Sequence, residues 1–137
     1  MRQPRRLVDK VAADAEVVID FFNGKEPARS HLADLISTNR LVLSAITIFE
    51  LRAGVTGKKR LAAIEKLTSL VPSVGLDAKA SAEAASQYTR LKQEGKLIGI
   101  GDLLLAGTCV AKDVPLYTRN QKHFSRITGR PLTVGPT

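Results

Sequence analysis

Short apolar runs alternate with amphipathic stripes along this chain, and the alternation predicts the architecture. Lys10 to Ala13 reads as a first strand, followed by a short helix from Val17 to Asn23 that Gly24 closes. Pro27 suits a helix start, and Leu32, Leu35 and Ile36 share one face of the helix predicted from Ala28 to Ser37. Leu41 to Ser44 is the second strand, with helices from about Ile46 to Gly54 and from Lys58 to Leu70, the latter turning Leu61, Ile64 and Leu67 inward. Val71 to Val74 is a weak strand at a sheet edge, because Pro72 has no N–H for a ladder.

Asp77 caps the longest predicted helix, Ala78 to about Glu94, whose stripe is Ala80, Ala84, Tyr88 and Leu91 and whose end is Gly95. Small alanines there permit close packing. Beyond Gly99 and Gly101, Asp102 to Ala111 reads as a buried helix, Val114 to Thr118 as a strand, Gln121 to Ile127 as a short helix and Pro131 to Val134 as a last strand. Strands separated by helices call for a largely parallel sheet with helices on both faces, an α/β fold in a single domain over 1–137.

Parallel strands joined by right-handed crossovers bring the loops after successive strands to one edge, and ligands bind there where the strand order reverses. Four polar residues stand at such points: Asp14 after the first strand, Glu50 beyond the second, Asp102 at a helix start and Asn120 after the fourth strand. Gathered together, their oxygens would suit a divalent cation. Each also has a plainer reading, since Asp and Asn are preferred N-caps and Thr47-x-x-Glu50 matches a reciprocal capping box. Serine or threonine would cap as well without concentrating negative charge, so the four as a set favour the cation. Asp77, behind the edge strand, is read as structural.

Charge adds a second layer. Lysine and arginine number 21 against 13 acids, a formal net charge of +8, and a body this basic favours a polyanion such as RNA or DNA, or an acidic protein segment. Aromatic residues make up only 4% and Trp is absent, so no base-stacking row is expected. No apolar run approaches the ~20 residues that span a bilayer. The single cysteine, Cys109, has no internal disulfide partner and fits a buried apolar position, and a cytoplasmic setting is expected.

Four blocks in order sharpen the reading. Asp14-Ala-Glu-Val-Val-Ile-Asp-Phe-Phe-Asn-Gly24, Ser44-Ala-Ile-Thr-Ile-Phe-Glu50-Leu-Arg-Ala-Gly54, Ile98-Gly-Ile-Gly-Asp102-Leu-Leu-Leu-Ala-Gly and Leu116-Tyr-Thr118-Arg-Asn120-Gln-Lys-His-Phe124 resemble the conserved blocks of PIN-domain proteins. The resemblance is specifically to VapC-type toxins of toxin-antitoxin pairs. It implies a three-layer α/β/α sandwich with a five-stranded parallel sheet, an acidic Mg²⁺ or Mn²⁺ site and endoribonuclease activity leaving a 5′-phosphate. It also implies neutralisation by a cognate antitoxin, and pairing as a homodimer. The helices at 28–36 and 58–70 offer apolar faces for that pairing or for the core.

Two departures bear on activity. Ala15 and Glu16 replace the Thr and Asn that usually follow the first aspartate, so a hydroxyl that would orient Asp14 is missing; Asn120 stands where many relatives have aspartate. On this reading Asp14 and Asp102 hold the cation with Glu50 and Asn120, and Glu50 orients or deprotonates the attacking water, with Asp102 as runner-up. Arg119, Lys122 and Arg52 are the candidates for gripping the RNA backbone, and Thr118 for orienting a neighbouring acid or contacting substrate, or else for capping the helix that follows. His123 is expected at the surface, Asp20 outside the site, salt-bridged to an arginine near it or facing solvent, and Lys58 to Arg60 with Arg2, Arg5 and Arg6 as solvated charge. A catalytically weak RNA- or antitoxin-binding relative, and a nuclease outside any toxin pair, stay open.

Overall fold

A computed structural model of the chain describes residues 9–127 and 134–135. Five strands, β1 (Val11–Ala13), β2 (Leu41–Ser44), β3 (Ser73–Val74), β4 (Leu116–Tyr117) and β5 (Val134–Gly135), pair in parallel in the order β3-β2-β1-β4-β5. The chain moves outward from β1 to β2 and β3, then returns to lay β4 on the other side of β1. The strand order therefore reverses between β1 and β4. As the weak Pro72 segment implied, β3 is an edge. Seven helices are described: α1 (Ala15–Phe22), α2 (Ala28–Ser37), α3 (Ala45–Ala53), α4 (Lys58–Leu70), α5 (Ala78–Gln93), α6 (Ile100–Lys112) and α7 (Gln121–Phe124).

Strand alternation sorts the core into two halves. Val11, Ala13, Leu41 and Leu43 pack with Val17 and Val18 of α1, Leu32 and Leu35 of α2, Leu51 of α3 and Ile64 and Leu67 of α4. Ala12, Val42 and Leu116 point the other way, against Leu91 of α5 and Leu103, Leu105, Ala106, Cys109 and Val110 of α6. Helices thus cover both faces of the sheet. Of the apolar faces of α2 and α4 that the sequence left open to either role, Leu32, Leu35, Ile64 and Leu67 are core, whereas Leu70 is exposed. Burial pushes the Cys109 thiol up to about 12, leaving it an inert apolar filler at neutral pH.

One glycine fixes the distance between α5 and α6. A Cβ on Gly107 would lie 2.7 Å from the Ala84 Cβ, 2.8 Å from the Ala84 nitrogen and 2.9 Å from the Ala80 oxygen. The alanine stripe of α5 therefore rests directly on α6, the helix that begins beside Asp102.

Several boundaries differ from the pattern. Helix α6 begins at Ile100, not at Asp102, and its N-cap is Gly99, so Asp102 is inside the first turn. Ser44, not Thr47, caps α3, accepting from the Thr47 N–H at 3.0 Å, which places Glu50 in mid-helix and removes the capping-box reading. Helix α7 stops at Phe124 and the last strand is Val134–Gly135. Arg2, Arg5 and Arg6 and most of the segment 131–134 lie outside the described residues. No helix among the described residues is long and apolar enough to cross a membrane.

Candidate functional site

Asp14 directly follows β1, beside β4, at the strand-order reversal. Its backbone N–H donates to the Tyr117 carbonyl at 3.2 Å, which extends the ladder one residue past the β1–β4 register. The side chain is 7% exposed. One carboxylate oxygen accepts from the Val17 N–H at 3.1 Å, capping α1, and the other accepts from the Thr118 hydroxyl at the end of β4. The Thr118 oxygen in turn accepts from the Asn120 N–H at 2.9 Å. Asp14 is thus both a cap and a cleft residue, and two strand ends are tied together through it.

Those bonds bear on two expectations. The orienting hydroxyl thought missing because of Ala15 comes from Thr118, across the sheet. Thr118 is 1% exposed, and its bond to Asp14 is the orientation of a neighbouring acid read for it from the sequence rather than a contact to substrate.

Asp14, Ala15, Glu16, Glu50, Asp102 and Asn120 line one open cleft of about 250 Å³. All four residues singled out from the sequence therefore meet at one edge of the sheet, with Glu16 beside them. Burial pushes the Asp14 carboxyl above its ordinary value; Glu16 and Asp102 add to this, against the Thr118 and Val17 bonds that pull it down. Burial likewise raises Glu50, and the charges of Asp102, Asp14 and Glu16 raise it further. Among the described residues no lysine or arginine pairs with Asp14, Glu16, Glu50 or Asp102; the one ion-pair partner is His123, whose Nδ1 is 3.5 Å from an Asp102 oxygen.

His123, expected at the surface, is part-exposed there and also borders the site: its Nδ1 is 2.8 Å from the Asn120 Nδ2, three residues back along the chain. The signal was present in the spacing, since residues three apart on a helix share a face.

The expected cationic grip is only partly present. Arg119 is exposed, but its Nε pairs with a buried Asp20 oxygen at 2.8 Å, so Asp20 anchors the loop after β4. Arg52 lies a half turn from Glu50, hence on another face of α3, and reaches Glu65 of α4 at 3.8 Å rather than the cleft. Lys122 is exposed next to Asn120. Arg60 is more than solvated charge: it donates to the Asn23 side-chain oxygen at 2.6 Å and lies over the Phe22 ring at 5.2 Å.

The donors at the cleft suit a hard cation, being carboxylate and amide oxygens without a thiol. No three His, Cys, Asp or Glu side chains among the described residues form a ready-made cage. An ion here would be held by oxygens from separate elements, with water or substrate oxygens completing its shell. Mutual repulsion among the acids, with no counter-charge beside Asp14 or Glu50, is what such an ion would relieve.

The sequence model of the PIN domain matches residues 11–130. This chain belongs to the PIN-domain family. Within it the chain is of the VapC type, and Ribonuclease VapC1 of Methanocaldococcus jannaschii is 30% identical over 118 residues, 86% of this chain and 81% of the relative. Among solved structures, VapBC2 from Rickettsia felis bound to a DNA fragment from their promoter matches with a TM-score of 0.80 at 25% identity, covering 91% of this chain and 96% of that one. VapBC-1 from nontypeable Haemophilus influenzae matches with a TM-score of 0.75 at 26% identity, covering 91% and 96%. The PIN fold of this chain is thus the arrangement that brings β1 and β4, and with them Asp14 and Asn120, side by side.

Proposed function

We propose that the cleft is the active site of a Mg²⁺- or Mn²⁺-dependent endoribonuclease, the toxin of a type II toxin-antitoxin pair. The observation that carries this reading is the gathering of Asp14, Glu16, Glu50 and Asp102 at the strand reversal with no arginine or lysine paired to them among the described residues. Clustered acids on a chain of net charge +8 are costly unless a cation and a polyanion meet there. The relatives' names, Ribonuclease VapC1 and the VapBC complexes, support the choice of RNA as substrate and of an antitoxin as protein partner.

Asp14, Asp102, Glu50 and Asn120 are the residues that would hold the ion. When bound, it polarises the scissile phosphate and lowers the pKa of an attacking water. Thr118 keeps Asp14 in a single orientation by bonding one oxygen while Val17 holds the other. Glu50, whose carboxyl burial and the neighbouring acids push above its ordinary value, is the candidate to orient a water and take its proton. Exposed Lys122 offers a contact to the RNA backbone beside Asn120.

Incubating purified protein with structured RNAs and Mg²⁺ tests the proposal. Cleavage abolished by EDTA, by Asp14→Asn and by Asp102→Asn is expected; cleavage that survives all three overturns the site. Of the two departures that suggest a catalytically weak relative, Ala15 and Asn120, the first is offset by the hydroxyl bond that Thr118 gives to Asp14.

A further inference from the structure

Gly101 sits one residue before Asp102 in the first turn of α6, where glycine is a poor helix former. Its backbone is not in the left-handed region, so no turn demands it. The reason lies in space. A Cβ at this position would fall 2.5 Å from the Glu50 Oε2 and 3.5 Å from its Cδ, and it would meet no other atom within 4 Å beyond its own helix and chain neighbours. Gly107 on the same helix differs, because there the obstacles include backbone atoms of α5. At Gly101 the only group that a methyl would displace is a carboxylate.

The setting favours that carboxylate. Gly99 caps α6 without a side-chain bond, so no side-chain oxygen caps the first-turn N–H groups, whose partial positive charge lies at the helix end that carries Asp102. Glu50 brings its negative group to this end of the helix beside Asp102.

We infer that Gly101 is a positioning residue for Glu50: the missing side chain leaves the space in which the Glu50 carboxylate lies against α6, and a methyl there drives it out of the cleft without disturbing the fold. The inference rests on the reading of Glu50 as a ligand of the cation and orienter of water. Because the displaced group is the end of a flexible side chain, the backbone has no need to move.

Gly101→Ala tests it. Mn²⁺ affinity by calorimetry is expected to fall roughly tenfold or more, as when a group that orients a ligand is changed, with RNA cleavage falling alongside. Thermal stability without metal is expected to hold or rise, since Ala is the better helix former. Shortening the acid should relieve the clash, so Gly101→Ala with Glu50→Asp should bind Mn²⁺ more tightly than Gly101→Ala alone, whereas independent defects would add. Carbon NMR of the Glu50 carboxyl in metal-free protein should show a shift on Gly101→Ala. An unshifted carboxyl, wild-type Mn²⁺ affinity, or a loss of affinity that merely tracks a loss of stability overturns the inference. Glu50→Gln, run in parallel, separates the two readings: unchanged affinity there defeats the role given to Glu50, and the NMR shift then still decides whether Gly101 seats its carboxylate.

Discussion

Replacing Thr118 with Val is the most direct probe of how the two strand ends share one acid. Val keeps the volume and removes a hydroxyl that donates to Asp14 and accepts from the Asn120 N–H at 2.9 Å. A hydrogen bond to a charged group contributes about 1.5–3 kcal/mol and an ordinary one about 0.5–1.5 kcal/mol, so the variant should lose about 2–4.5 kcal/mol at pH 7. Part of that loss is specific to the ionised acid. Below the ordinary Asp value of 3.8, Asp14 is protonated in both folded and unfolded chains, and the bond becomes one between neutral groups. Removing the bond also removes an influence that lowers the Asp14 pKa, so the folded pKa rises further and the penalty grows with pH through the acid range. Urea unfolding of both proteins at pH 3.5 and pH 7 measures this, with Thr118→Ser as the variant that keeps the hydroxyl. A loss of equal size at both pH values, or a Ser variant as weak as Val, would refute the bond as the source of Asp14's orientation.

Two further outcomes follow from the same coordinates. Gly107→Ala should destabilise by about 1–3 kcal/mol despite the better helix propensity, because α5 backbone at 2.8–2.9 Å cannot retreat alone; a calorimetric melting point at or above wild type would contradict the packing. Asp14 and Glu50 have folded pKa values raised above 3.8 and 4.5, so the folded state binds their protons more tightly than the unfolded one. Their contribution to stability is therefore fully present below those values and is lost as pH rises through the folded ones. Metal-free protein should accordingly lose stability against an Asp14→Asn, Glu50→Gln variant as pH rises from about 4 to 7. Mg²⁺ at a hundredfold excess over its Kd should return about 2.7 kcal/mol to wild type and little to the variant. Parallel melting curves with no divergence between the two proteins would show that the acids do not repel as described.

Much of the fold was legible because both periodicities were strong where burial is complete. The runs at β1 and β2 alternate between two cores, and the α5 stripe announced a close neighbour through Ala80 and Ala84. Boundaries were less legible where capping groups compete. Asp102 looked like a cap because Asp usually serves as one, yet the chain enters α6 through Gly99, and nothing local distinguishes the two arrangements. Cation contacts were the least legible. Arg119 and Arg52 lie near the site in sequence, but their partners, Asp20 and Glu65, are supplied by other helices, and only tertiary structure decides where a long side chain turns. Thr118 likewise could not be told from a helix cap until the β1–β4 pairing set it against Asp14.

The arginine pairings also sharpen what kind of site this is. Had Arg119 and Arg52 turned inward, the carboxylates would have had internal counter-ions, and the cleft would be a closed salt-bridge network with little pull on an external cation. Instead Asp20 and Glu65 engage those guanidinium groups outside the acidic cluster. The acids that line the cleft are left without an arginine or lysine partner among the described residues. On the function proposed above, an RNA phosphate could approach these acids only with a cation between them, so metal and phosphate binding would reinforce each other.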